Sequence, residues 1–259
     1  MRKISIENIY YKINQGFVDL RLCNEEIEEF ADDLCQKQNR TLENPKFDVE
    51  AYIEFDLNIP LQYRKISLDD TKLGMTILVS GNVVIYDNNE VYEEFYNIGT
   101  IIIDKDACKL NSRFRFTMCH ELGHYYFDVP RYNKNGDVLV KNIECNIEEY
   151  NVSKDNWEEW RANRFAACIL MPRLLFVQDV TNYLRRRFSI IKNENIKTYK
   201  NGPHMMYLSS EERESTFSYF CDKYGVSRDA LINRLIEFNF LEKAIYNCKY
   251  IRNNKKFEL

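Results

Sequence analysis

Apolar positions recur at three- and four-residue intervals through much of the chain, interrupted by shorter runs rich in β-branched residues. Asn24 followed by Glu25 and Glu26 is a helix start with acids at the positive end of the dipole, and Ile27, Phe30, Ala31 and Leu34 supply its apolar face. A short helix is expected over about 48–56, with Val49, Tyr52 and Ile53 inward, and LQYRKI after Pro60 reads as a strand. Met75–Ser80 and Val83–Tyr86 flank Ser80-Gly81-Asn82, a pattern that predicts a hairpin, and Gly99–Ile103 is a further strand. Asn111 or Ser112 can cap a helix that Pro130 ends. Residues 131–155 read as a loop with one strand around Val138–Val140. Helices follow over Trp157–Leu170, stopped before Pro172, and over Arg173–Arg187. After a connection spanning 191–210 come Glu211–Tyr224, ended by Gly225, and Arg228–Phe238, capped by Ser227. Residues 1–23 receive no assignment from pattern.

This order, a small sheet immediately before a long helix and then further helices, predicts an α+β chain. Three segments are expected: a helical N-terminal extension over 1–44, a central domain over 45–190, and a helical, helix-turn-helix-like segment over 191–259.

Composition narrows the picture only a little. A net charge of -4 gives no general case for nucleic acid or an anionic membrane as a partner. No stretch approaches the roughly 18–20 apolar residues of a membrane span, and the N-terminus lacks a secretory apolar core, so a cytoplasmic protein is expected. The eight cysteines form no C-x-x-C pair and read as reduced, mostly buried thiols. The basic run Arg185-Arg186-Arg187 reads as a solvated helix face.

The chemistry is concentrated in His120-Glu121-Leu122-Gly123-His124, which uses two of the three histidines in the chain. Residues four apart on a helix share a face, so both imidazoles reach one ion. A catalytic zinc is held by three protein ligands and a water, and Glu121 is placed to take a proton from that water. The third ligand must come from elsewhere. Glu159 precedes Asn163 by four residues, so one can ligate the ion while the other bonds the outer nitrogen of a ligand histidine. Glu158 is the neighbouring alternative, pointing about 100° away around the helix. Asp128 lies on the stripe of 120 and 124 and is a competing ligand, a partner of a ligand histidine, or a helix-end residue. His204 in N-G-P-H-M-M reads as a loop histidine, Cys119 as a small buried residue, and Tyr125 and Tyr126 as core.

The sequence R-F-R-F-T-M-C-H-E-L-G-H, followed by E-W-R-A-N-R-F-A-A-C-I-L-M-P, resembles the ImmA/IrrE family of metallopeptidases over about residues 45–175. The segment Y-G-V-S-R-D-A-L-I-N-R-L is similar to the helix-turn-helix-like ending of many members. The resemblance implies a zincin-like fold, with Zn2+ held by His120, His124 and Glu159, Glu121 as the catalytic glutamate, and Asn163 supporting a ligand. It further implies a cytoplasmic enzyme of regulated proteolysis, often carried on a phage or mobile element, whose protein substrate is a DNA-binding repressor. Cys119 and Asp128 depart from the alanine and histidine frequent in the family, and neither departure touches the expected ligands. The alternative from another class is a non-proteolytic, partner-binding regulator whose zinc site is structural or vestigial.

Overall fold

The computed structural model describes residues 6–14, 21–69, 71–87, 90–106, 111–131, 143–146, 157–191, 204–205 and 208–242. The fold is mixed α+β. The chain divides into two compact units, one comprising Met1–Arg40 and Lys46–Pro172, the other Thr41–Pro45 and Arg173–Leu259.

In the first unit, helices α1 (Ile6–Asn14) and α2 (Asn24–Lys37) precede α3 (Val49–Ala51), which continues into a π-helical turn over Tyr52–Asp56. Six strands follow in part: β1 (Leu61–Arg64), β2 (Lys72–Thr76), β3 (Gly81–Asp87), β4 (Glu90–Tyr96), β5 (Ile101–Asp104) and, after helix α4 (Asn111–Phe127), β6 (Ile143–Asn146). Helix α5 (Trp157–Leu170) completes the unit. The N-terminal residues therefore include a helix that pattern alone did not assign. Helix α2 is entered through Cys23, whose backbone N–H donates to Glu26 Oε2 at 3.0 Å, so the cap stands one residue before the expected Asn24.

Strand pairing corrects the expected hairpin. β3 does not turn back onto β2; it pairs antiparallel with β4, with Gly81 opposite Tyr96 and Asp87 opposite Glu90. β2 instead lies inside a four-stranded sheet of order β1-β5-β2-β6, parallel between β1 and β5 and antiparallel elsewhere. The reason lies in burial. Ser80-Gly81-Asn82 suits a turn, but β2 is covered on both faces and its pairing is decided by partners distant in sequence. The expected strand at 138–140 lies outside the described residues.

Parity along β2 and β5 assigns the two faces of this sheet. Met75, Ile77 and Ile102 join Ile66, Val83, Ile85 and Tyr96 in one apolar cluster, so the β3–β4 ribbon covers that side. Gly74 and Thr76, alternating with Met75, face α4, since Thr76 Oγ1 bonds Glu121 and a Cβ on Gly74 would meet Thr117 and Glu121. Helix α4 is covered all round: each residue from Thr117 to His124 is buried. On its far side α5 approaches closely, because a Cβ at Gly123 would stand 3.0 Å from Ala162 Cα. Phe30 of α2 packs behind both helices, its ring centroid 5.1 Å from Tyr126, 5.7 Å from Phe127 and 5.8 Å from Phe165.

In the second unit, α6 (Arg173–Ile191), α7 (Ser210–Tyr224) and α8 (Arg228–Glu237) carry an aromatic core in which Phe176 meets Phe220, Tyr224 and Phe238. Ser209 and Ser227 cap α7 and α8, and Gly225 ends α7 in the left-handed conformation at φ 65. Among the described residues no helix is long and apolar enough to cross a membrane.

Candidate metal centre

Four polar side chains of α4, His120, Glu121, His124 and, at its end, Asp128, are completely buried, and Glu159 of α5 meets them at 4 % exposure. Helical spacing puts both imidazoles on the α5 side, and Gly123 on the same stretch lets α5 come near enough for Glu159 to reach them. Glu159 Oε2 stands 3.2 Å from His120 Nε2, and its Oε1 stands 3.3 Å from His124 Nε2. The two Nε2 atoms are 3.0 Å apart. Among the described residues His120, His124 and Glu159 form the group able to hold a metal ion, with ligand atoms within 4.8 Å of one another.

The outer nitrogens decide what the inner ones offer. His120 Nδ1 donates to Asn163 Oδ1 at 2.9 Å, and His124 Nδ1 donates to Asp128 Oδ2 at 2.8 Å. With a proton on each Nδ1, both Nε2 lone pairs converge, and a carboxylate faces them. Two neutral imidazoles and an anion repel in that arrangement unless a cation lies among them. The donor set, two imidazole nitrogens and one carboxylate, fits a transition-metal dication such as zinc.

Titration follows the same logic. Burial acts to lower the His124 pKa, but its bonds to Asp128 and Glu159 outweigh this and hold it at about 9. Burial acts to raise Glu159, but the hydrogen bonds from His120 and His124 prevail and bring it to about 2. The cluster thus draws positive charge onto the histidines and keeps the carboxylate ionised. Glu121 behaves differently: burial pushes its carboxyl above the usual range, against the pull of the neighbouring histidines. A carboxylate raised in this way is a stronger base than an exposed one.

The remaining candidates fall into clear places. Asp128 turns away from the ligand atoms; one of its oxygens takes the His124 Nδ1 proton and the other pairs with Arg161, which is 2 % exposed. It orients a ligand histidine rather than presenting an oxygen alongside Glu159. Glu158 points elsewhere and pairs with Arg131. Cys119 is buried, its thiol pushed up to about 12 by desolvation. Tyr126 packs against Phe165 and shares a 2.6 Å hydrogen bond with Tyr52, so it belongs to the core. His204 belongs to the second unit, and burial lowers its pKa.

Pattern reading missed the contributions of β2 and of Arg161. Thr76 donates to Glu121 Oε2 at 2.7 Å, across 45 residues of sequence. Gly74 leaves room for that carboxylate: a Cβ there would stand 2.9 Å from Glu121 Oε1 and 2.8 Å from Thr117 Cγ2. The available signal was the pair of small or polar residues two apart, Gly74 and Thr76, alternating with the apolar Leu73, Met75 and Ile77.

No curated protein matches the chain. The model for the IrrE N-terminal-like domain of peptidases matches residues 87–199, a span that contains α4, α5 and all of the ligand candidates. Over that segment the chain is similar to the IrrE N-terminal-like domain of peptidases.

Proposed function

We propose that the protein is a zinc-dependent endopeptidase in which His120, His124 and Glu159 hold the metal and Glu121 is the catalytic base. The observation that carries this reading is the convergence of two oriented imidazoles and an ionised carboxylate beside a second, buried carboxylate of raised basicity. When bound, zinc supplies Lewis acidity that brings a water's pKa towards about 7. Asn163 and Asp128 fix the imidazole tautomers, so that both Nε2 atoms stay available. Glu121 takes the proton of the attacking water and delivers it to the departing amine as the peptide bond breaks. The close packing of α4 against β2 and α5 keeps bulk water from Glu121 and strengthens its electrostatic action.

The substrate we infer is a regulatory protein, a DNA-binding repressor of the helix-turn-helix type, cleaved at a defined site in the cytoplasm. The support is the similarity of residues 87–199 to the IrrE N-terminal-like domain, together with the likeness of the C-terminal Y-G-V-S-R-D-A-L segment to the helix-turn-helix-like ending of many ImmA/IrrE members. Purified protein is expected to hold one zinc per chain by elemental analysis. Co-expressed with a repressor encoded beside its gene, it is expected to yield two fragments. Glu121→Gln retains the zinc and loses cleavage by about 10²–10⁴-fold. Cleavage at the wild-type rate by Glu121→Gln rejects the assignment, and equal partner binding without cleavage by either form leaves the non-proteolytic regulator.

A further inference from the structure

Glu121 is the one buried acid in the centre whose orientation is set from the sheet rather than from a helix. Its carboxylate has two oxygens in unlike surroundings. Oε2 receives the Thr76 hydroxyl at 2.7 Å, whereas Oε1 is buried and receives no hydrogen bond among the described residues. Thr76 is fully buried and cannot wander, because β2 is paired on both sides: residue 76 stands opposite Ile101 of β5 and Ile143 of β6. The hydroxyl has a single proton and two acceptors in reach, Oε2 and, at 2.9 Å, the Glu121 carbonyl. A carboxylate oxygen is a stronger acceptor than a peptide carbonyl, so the proton goes there. Two residues earlier on the same face, Gly74 has no side chain to strike Oε1.

We propose that Thr76 is a positioning residue for Glu121: by holding Oε2 it fixes the carboxylate plane and leaves Oε1 as the oxygen that accepts the proton of the attacking water. Gly74 is the matching half of the device, the space in which Oε1 sits. The inference rests on the peptidase reading for its catalytic consequence, but the Thr76–Glu121 link stands on geometry alone. The two parts are tested separately.

Thr76→Val removes the hydroxyl at nearly constant shape, Thr76→Ser keeps it, and Thr76→Ala serves if the valine variant does not fold. In metal-free, full-length protein labelled at glutamate Cδ with ¹³C, the Glu121 resonance is assigned by its loss in Glu121→Gln. It is expected to shift in Thr76→Val or Thr76→Ala and to stay near the wild-type position in Thr76→Ser. An unshifted resonance in the variants without hydroxyl overturns the proposal, whatever the enzyme does. With zinc bound and the purified repressor as substrate, kcat falls about 10–100-fold in Thr76→Val with KM and zinc content unchanged, and serine restores most of it. A rise in KM alone, or a kcat equal to wild type, overturns the positioning role. If the wild type cleaves no repressor, the peptidase assignment falls, and the resonance alone decides the Thr76 link.

Discussion

Helix α4 and its end bury two imidazoles and two carboxylates, whereas the helices α6, α7 and α8 bury mainly apolar side chains, with the rings of Phe176, Phe220 and Tyr224 completely covered. Charge is not absent from the second group. Asp179 takes hydrogen bonds from Lys223 at 2.8 Å and from the Tyr224 hydroxyl at 3.1 Å, and buried Arg234 pairs with Glu237 at 2.8 Å, two separate local pairings beside an apolar core. Around α4 the polar groups are instead chained: Arg161 to Asp128, Asp128 to His124, His124 and His120 to Glu159, and His120 to Asn163. A ring in a core contributes through the area it removes from water, about 25 cal/mol per Å². A buried ion contributes only if its partners offset the loss of hydration, and more often costs stability. The aromatic core is built to hold a fold, and the polar one holds a set of orientations.

Substitution separates the two. Asp128→Asn removes the carboxylate that pairs with buried Arg161 and is expected to cost about 3–5 kcal/mol in urea unfolding. It also weakens zinc binding by about 10–100-fold, because a neutral amide replaces the charged acceptor of the His124 Nδ1 proton. Phe220→Ala is expected to cost about 3–5 kcal/mol as well, through a cavity, but with no change in zinc affinity. Equal zinc affinities for wild type and Asp128→Asn would remove the distinction.

The pH response sharpens the same contrast. His124 has a folded pKa of about 9 against an ordinary 6.5, so the stability it adds to metal-free protein is complete below 6.5 and is lost as pH rises through 9. Glu159, lowered from 4.5 to about 2, adds stability that is present above 4.5 and lost as pH falls through 2. These two groups leave metal-free protein most stable between about pH 4.5 and 6.5. Zinc must displace the His124 proton, so zinc affinity, followed by titration calorimetry, is expected to rise with pH up to about 9. Zinc affinity that does not vary with pH below 9 would show that no such proton is held.

The smallest effect is expected next to the largest. Glu158→Ala breaks a partly exposed pair with Arg131 and costs at most about 1 kcal/mol, with zinc content unchanged. Loss of zinc in Glu158→Ala would reverse the choice between the two adjacent glutamates.

Much of this centre was legible because it is local. His120 and His124 share a face by helical period, and Glu159 with Asn163 repeats that relation on a second helix, so two short stretches carry the ligand set. The end of α7 and the start of α8 were legible for the same reason, through Gly225 and Ser227. Asp128 could be placed on the correct stripe, but whether it would face the ion or the far nitrogen depended on Arg161, 33 residues away. The strand order failed because Ser80-Gly81-Asn82 speaks only for its immediate neighbours. β2 found its partners in β5 and β6, where both faces could be buried.

By itself the sequence determined most of the helices, the ends marked by Gly225 and Ser227, and the shared face of His120 and His124 beside Glu121, all features whose physics acts within one or two helical turns. Tertiary structure alone decided that Asp128 orients His124 instead of standing beside Glu159, and which strand holds Glu121. Those choices depend on packing distances between segments far apart in the chain, such as the approach of α5 at Gly123 and of β2 at Gly74, and no local spacing encodes them.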